Sequence, residues 1–445
     1  MKRTTPLLMI LLLSMASGCD AGNSNIIRSG SDSGGDSDGD GDGDGNSDGD
    51  SDVDGDSDGD ADGGVGGDGG PSMIMKNSFL WVSNTGEGTL SKVDTRAEIE
   101  LARYITSPLG AVKEGDPSRT TVNRYGDMVV LNRRHPVLYN KNTTGVSASV
   151  TKFSAYKEGC KDRNNNSTIE TSTGGGDVLN WEADECMLWH TPLPSGVVAA
   201  RAAAWDGQED SSTGKGGHIW IGTCESLEIA GAQNWLFQLD GDTGAILESI
   251  EFNGCAYGAA VDSKGNLWIV DREAGFAVHK FNMETHVVDT YPMEAGYGIG
   301  IDSTGNIWTA GEYGLNKVAR LSDGTSSTLT LDPKYNFPRG VGTGTALSAG
   351  YVWVADNGGY LLKFSEADFI MADTYPIGET SAPSTIGVAV DVDGYVWVIA
   401  KDENAAFKFD PVTNTYVTVK IGKKPYTYSD MTGVQLSIQV PPSIE

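Results

Sequence analysis

The sequence predicts an all-β fold, a seven-bladed β-propeller, and three observations predict it. Units of 40 to 48 residues recur with one pattern of short β-rich runs and turns. Each unit carries an apolar core residue, usually Trp, in its second run. The array also begins on a second run and ends on an unmatched one, so its two ends can complete each other. Four short strands per unit, repeated in this way, describe propeller blades.

The chain opens on Lys2 and Arg3, continues through the apolar run Leu7 to Leu13, and reaches Ala16-Ser17-Gly18 before Cys19. That run is shorter than the roughly 20 residues a membrane-spanning helix needs. A basic start, a short apolar stretch and small residues before a cut describe a secretory signal over residues 1–18. Small residues directly before a cysteine resemble the lipobox of bacterial lipoproteins, which implies acylation of Cys19 as the mature N-terminus. The expected location is the bacterial cell envelope, on the periplasmic or cell-surface side, with the membrane reached through that lipid.

Residues 19–72 read as a tether. They are nearly all Gly, Ser and Asp, in runs such as Asp36-Ser37-Asp38-Gly39-Asp40. So little apolar surface cannot offset the entropy of ordering, and like charges extend the chain. The net charge of −29 is shared: residues 1–72 hold 16 Asp against three basic residues, which leaves about −16 for residues 73–445. An acidic body excludes nucleic acid and adhesion to anionic lipid, and is compatible with cationic ligands or divalent ions.

The propeller body is expected over residues 73–445. Tyr257-Gly-Ala-Ala-Val-Asp262-Ser-Lys-Gly265-Asn-Leu-Trp268 is matched by Tyr297-Gly-Ile-Gly-Ile-Asp302-Ser-Thr-Gly305-Asn-Ile-Trp308, and Ile386 to Trp397 repeats it. The first run, rich in Gly and Ala, suits an innermost strand crowding the axis. The Trp can fill the wedge between blades. Second-strand cores fall at Trp81, Val129, Trp220, Trp268, Trp308, Trp353 and Trp397, which makes seven blades. The double gap between Val129 and Trp220 implies an insertion at about residues 157–190. Phe79 to Ser83 has no innermost strand before it, so Thr432 to Ser437 is expected to close blade one, leaving no open edge.

With Cys19 acylated, Cys160, Cys186, Cys224 and Cys255 form an even set in an oxidising compartment, which implies two disulfides. Cys224 follows a second strand and Cys255 precedes the next first strand, connections on the same face. The expected pairs are therefore Cys224 with Cys255 and Cys160 with Cys186, the latter stapling the insertion.

Within that insertion Asp162, Asn164, Asn166, Thr168 and Glu170 offer oxygens at alternating positions, as in the first part of an EF-hand-like loop. A structural Ca²⁺ is expected there, with Asp177, Asp184 or Glu185 completing its ligands. The second candidate is the channel mouth, where loops carry Tyr257, Asp271, Arg272, Glu273, Tyr297, Glu312, Tyr313, Arg339, Asp356, Asn357, Lys401 and Asp402. Charges beside aromatics suit a polar small molecule, peptide or protein partner.

The blades, above all Gly300 to Leu321, resemble the virginiamycin B lyase (streptogramin lyase) family. The resemblance implies a metal-dependent elimination that opens an ester-closed cyclic peptide, with Mg²⁺ as cofactor. Glu312 matches a position where lyase repeats carry Glu, and His135 lies in a loop of the appropriate face. His190, His218, His279 and His286 lie elsewhere. The overall expectation is a monomeric, lipid-anchored binding module, with a divalent-metal-dependent lyase or hydrolase as the alternative.

Overall fold

The structure is a computed structural model that describes residues 78–108, 115–134, 147–226, 231–273, 275–312 and 315–441, the side chain of Glu312 excepted. The chain divides into two units, residues 1–68 and 69–445, and every described residue belongs to the second.

Six antiparallel sheets have four strands each, and a seventh has three. Their innermost strands are Pro117–Val122, Ala200–Trp205, Ala256–Val261, Gly298–Ile301, Pro338–Thr343 and Thr385–Val390. Small residues are needed in them for a steric reason. A Cβ on Gly298 would run into the Arg339 carbonyl, and one on Gly387 into that of Thr427. The fold is the seven-bladed propeller that the repeats predict.

Each repeat motif is a local device. In blade five the Asp302 carboxylate accepts the backbone N–H of Thr304 and Asn306 (3.0 and 2.9 Å) and the Asn306 amide (2.9 Å). It also accepts the Trp308 indole N–H at 2.7 Å. Gly305 completes the turn at φ 87°. Asp262 and Asp391 hold Trp268 and Trp397 in the same way, at 2.8 and 2.9 Å. The second-strand Trp, whether held by an Asp or not, meets an aromatic ring of the next blade: Trp220 with Phe281 at 5.1 Å, Trp308 with Phe369 at 5.1 Å, and Trp353 with Phe409 at 5.8 Å.

Closure comes from the chain end, by different residues than expected. The three-stranded sheet, Phe79–Asn84, Thr89–Asp94 and Ile99–Ile105, lacks its own inner strand. Pro425 to Met431 takes that place: Tyr426 N donates to Ser83 O, Trp81 N donates to Met431 O (both 2.9 Å), and Asn84 bridges Pro425. Thr432 to Ser437 is not that strand. Asp430 accepts the N–H groups of Thr432 and Gly433, and Gly433 turns the chain at φ 78°. The short helix Val434–Gln439 follows. Gly433 thus serves a turn, which its resemblance to an inner-strand glycine conceals.

Both disulfides form as expected, Cys160 with Cys186 and Cys224 with Cys255. The insertion lies between the strands Ser149–Phe153 and Met187–Pro192 of blade two. It also reaches the outer strand of blade one, where Arg103 N donates to Ser172 Oγ at 3.0 Å.

Asp302→Ala is expected to cost about 2–4 kcal/mol, because it leaves a buried indole N–H and several backbone donors unmatched. Glu251→Ala, on the exposed side of an outer strand, is expected to stay within about 0.5 kcal/mol. Urea unfolding of the two variants checks the contrast.

Candidate functional site

Each innermost strand starts where the neighbouring second strand of its blade ends, because the two run antiparallel: Ala256 opposes Asp271, and Pro338 opposes Asp356. Strand starts and ends therefore gather at one mouth of the axial channel. Arginines and tyrosines converge there.

Arg119, buried in the inner strand of blade two, lies with its guanidinium carbon 3.2 Å from the Tyr428 ring centre and 5.0 Å from that of Tyr257. It donates to the Tyr257 and Tyr428 carbonyls, so it joins blade two, blade four and the closing segment. Arg201 stands 5.2 Å from the Tyr257 ring and Arg272 4.6 Å from it. Arg272 Nη1 donates to Tyr257 Oη at 2.8 Å. Arg339 packs on Phe337 (4.5 Å) and Tyr297 (5.7 Å). Arg133 faces Tyr426 at 4.9 Å and pairs with Asp116 at 2.5 Å. The Tyr297 and Tyr426 hydroxyls meet at 2.5 Å.

Electrostatics divides the tyrosines. Burial alone would raise the Tyr257 phenol, but Arg201, Arg272 and Arg119 outweigh it and bring it down to about 6. Burial raises Tyr297 and Tyr428 well above 10.0, and neighbouring phenols add to the rise. The arrangement favours one phenolate at Tyr257 among neutral phenols. The mouth is cationic enough to hold a negative charge, within a chain whose net charge is −29.

Of the residues named for the channel mouth, the structure brings Tyr257, Arg272, Tyr297 and Arg339 together. Lys401 reaches its edge, 5.8 Å from the Tyr426 ring. Other expected rim residues are engaged differently. Asp271 accepts the Cys255 N–H at 3.0 Å and pairs with buried His279 at 3.0 Å. Glu273 accepts from Ser226, and Asn357 accepts from Ser384 at 3.0 Å. Asp402 pairs with Lys424 at 2.8 Å on the exposed surface. Asp356 is buried, and burial raises its carboxyl to about 6. Glu312 ends the strand Ile307–Glu312, opposite Leu315. His135 and Tyr313 lie outside the described residues, as does Cys19. Arg119, Arg133, Arg201, Tyr426 and Tyr428 escape the sequence reading. A lone Arg in an inner strand otherwise built of small residues, as in Ala200-Arg201-Ala202, was the available signal.

The insertion loop does fold on itself. Asp162 accepts the N–H groups of Asn166 (3.2 Å) and Ser167 (2.8 Å), and the amides of Asn164 and Asn166 donate to Glu170. Thr168 N donates to Asn166 Oδ1 at 2.8 Å. Ser167, where such loops usually carry Gly, takes the left-handed conformation at φ 67°. Glu185 accepts the N–H of Arg163 and Glu170, Asp184 that of Ser172, and Asp177 that of Thr173. Among the described residues no group of three or more His, Cys, Asp or Glu is placed to hold a metal.

The fold defines a propeller of seven blades with an arginine–tyrosine mouth. No family model matches the chain, and no curated protein matches it. Solved structures similar to it include a streptogramin B lyase, 20% identical over 47% of this chain and 68% of that one, with a TM-score of 0.39. A catalytically inactive virginiamycin B lyase from Staphylococcus aureus with quinupristin is 13% identical over 68% and 84% of the two chains, with a TM-score of 0.47. The hydrazine synthase of Kuenenia stuttgartiensis is 12% identical over 71% and 89%, with a TM-score of 0.49.

An ultraviolet difference titration is expected to show one tyrosine ionising near pH 6, far below the ordinary 10.0. Tyr257→Phe is expected to abolish that step. Because the folded value is depressed, the stability it contributes is full above the ordinary phenol value and is lost as pH falls through about 6.

Proposed function

We propose that this chain is a binding module of the cell envelope that captures an anionic ligand at the arginine–tyrosine mouth of its propeller. One observation carries the reading: Arg119, Arg133, Arg201, Arg272 and Arg339 lie against four tyrosines at one end of the axis. Guanidinium forks suit carboxylate and phosphate groups, and the surrounding rings lower the local dielectric and strengthen each charge-assisted bond. Arg272, Arg339, Tyr426 and Lys401 are only half buried, so they form the part of the cluster a ligand can reach.

The lipid on Cys19 belongs to this proposal, as do the tether and a structural Ca²⁺ in the Asp162–Glu170 loop. The signal pattern supports the anchor, and the two disulfides fit an oxidising compartment. For the Mg²⁺-dependent lyase alternative, the described residues do not assemble the donors. His190, His218, His279 and His286 are held by Thr151, Asp206, Asp271 and Glu248, and of the carboxylates near the mouth Asp116 pairs with Arg133 and Asp271 with His279.

At constant ionic strength, citrate, phosphate and polyglutamate are expected to raise the melting temperature of the full chain. A ligand at 100 times its Kd adds about 2.7 kcal/mol. The Arg272→Ala, Arg339→Ala double variant is expected to lose the shift. No anion-dependent shift, or one that survives both substitutions, contradicts the reading. Mass spectrometry of membrane-fraction protein is expected to find Cys19 acylated at the N-terminus, and an unmodified Cys19 contradicts the anchor.

A further inference from the structure

In six of the seven blades a cation of the third strand stands opposite the wedge residue of the second. The pairs are Trp81 with Lys92, Val129 with Lys152, Trp268 with Lys280, Trp308 with Arg320, Trp353 with Lys363 and Trp397 with Lys408. In four of them the cation crosses to the turn after the third strand of the next blade. Lys92 donates to Ala155 O, Lys152 to Gly241 O at 3.1 Å, Arg320 to Glu366 O at 2.7 Å, and Lys408 to Glu98 at 3.0 Å. Lys363 instead lies over Tyr351 of its own blade, 3.8 Å from the ring centre. These contacts staple blade to blade.

The joint between blades four and five breaks the pattern. In blade six, residues 366–370 join the third strand, Tyr360–Ser365, to the fourth, Met371–Pro376. In blade five only Asp323 and Gly324 separate Leu315–Ser322 from Thr325–Thr330. The shortened turn offers Lys280 no acceptor. Its ammonium has no hydrogen bond or ion pair among the described residues, and its nearest ring is Trp268 at 6.0 Å. Among the described residues no ring of blade five covers Trp268 as Phe369 covers Trp308. Trp268 is 8% exposed where Trp308 is 0%. A cleft of about 420 Å³ opens there instead, with Gln439 on its wall.

The lining selects a ligand class. Trp268 and Tyr291 form an aromatic side, their rings 5.7 Å apart. Lys264 and Lys280 donate, Asp323 accepts, and Thr304 and Asn306 add polar edges. At Gly265 and Gly305 no atom lies within 4 Å of where a Cβ would stand, so a ligand can approach the backbone closely. The lysines are balanced by acids, so a bare anion is not favoured, and the polar edges reject a wholly apolar molecule. A ring with one apolar face and hydroxyls around its rim satisfies both sides, and the volume falls in the range of small-molecule sites. We propose that the cleft between blades four and five is a saccharide-binding site, in which a pyranose ring stacks on Tyr291 and Trp268 and a hydroxyl takes the staple position of Lys280.

The site is separate from the channel mouth, and so is its test. Saturation-transfer NMR of the full chain is run with the methyl pyranosides of glucose, galactose, mannose, N-acetylglucosamine and glucuronate. At least one is expected to respond. Lys280→Ala and Tyr291→Ala are each expected to weaken it at least about tenfold, with melting temperatures within a few degrees of the parent. Arg272→Ala, at the mouth, is expected to leave it unchanged. The proposal is overturned if no pyranoside responds, if the response survives both cleft substitutions, or if Arg272→Ala removes it. Should Tyr291→Ala fail to fold, Lys280→Ala decides alone.

Discussion

The structure depends on one constraint: a ring of seven sheets must be closed by two ends of the chain about 350 residues apart. Pro425 to Met431 meets it by lying along Phe79–Asn84, through the Tyr426–Ser83 and Met431–Trp81 backbone bonds and the bond from Ser83 N to Thr427 Oγ1 at 2.9 Å. Each such bond is worth only about 1 kcal/mol net. Their weight comes from what they prevent, since an open ring exposes a strand edge and the apolar surface around buried Trp81. The same segment brings Tyr426 and Tyr428 to one channel mouth. It then turns at Gly433 and sets the helix Val434–Gln439 near the other, where the Gln439 amide donates to Asp302 O at 2.8 Å. Closure, mouth and terminal helix are consecutive uses of fewer than twenty residues.

The mouth shows how far local charge can depart from net charge. An acidic chain is compatible with cationic ligands, yet the inner-strand starts of blades two, three and six deliver Arg119, Arg201 and Arg339 to the axis. Two carbonyls accept from the terminal nitrogens of Arg119, ring faces stack on its guanidinium, and the neighbouring Tyr257 phenol loses its proton more readily. Away from water these interactions are weakly screened, so a few guanidiniums outweigh distant carboxylates.

The blades were legible in the sequence because one spacing of short runs, turns and wedge residues repeats, and in blades four, five and seven an Asp closes the turn and holds the indole. Where that turn is intact, in blades four and five, the strand ends could be located from it, and the structure brings Tyr257, Arg272 and Tyr297 together. Where it decays, in blade two with Val129 in the Trp position, Arg119 and Arg133 went unread. Tyr426 and Tyr428 were missed because Thr432 to Ser437 imitates an inner strand, and only the bonds of Asp430 to Thr432 and Gly433 reveal the turn. The cleft beside Lys280 was invisible for a different reason. It arises from a turn two residues long, and a shortened turn leaves no motif of its own.

The claim that the chain end closes the ring is tested most directly by deleting residues 425–445 and following heat unfolding. The truncated chain is expected to aggregate or to melt far below the intact one. A truncated chain that melts within about 5 °C of the intact protein would contradict it, and would show that Pro425 to Met431 is an appendage rather than the clasp.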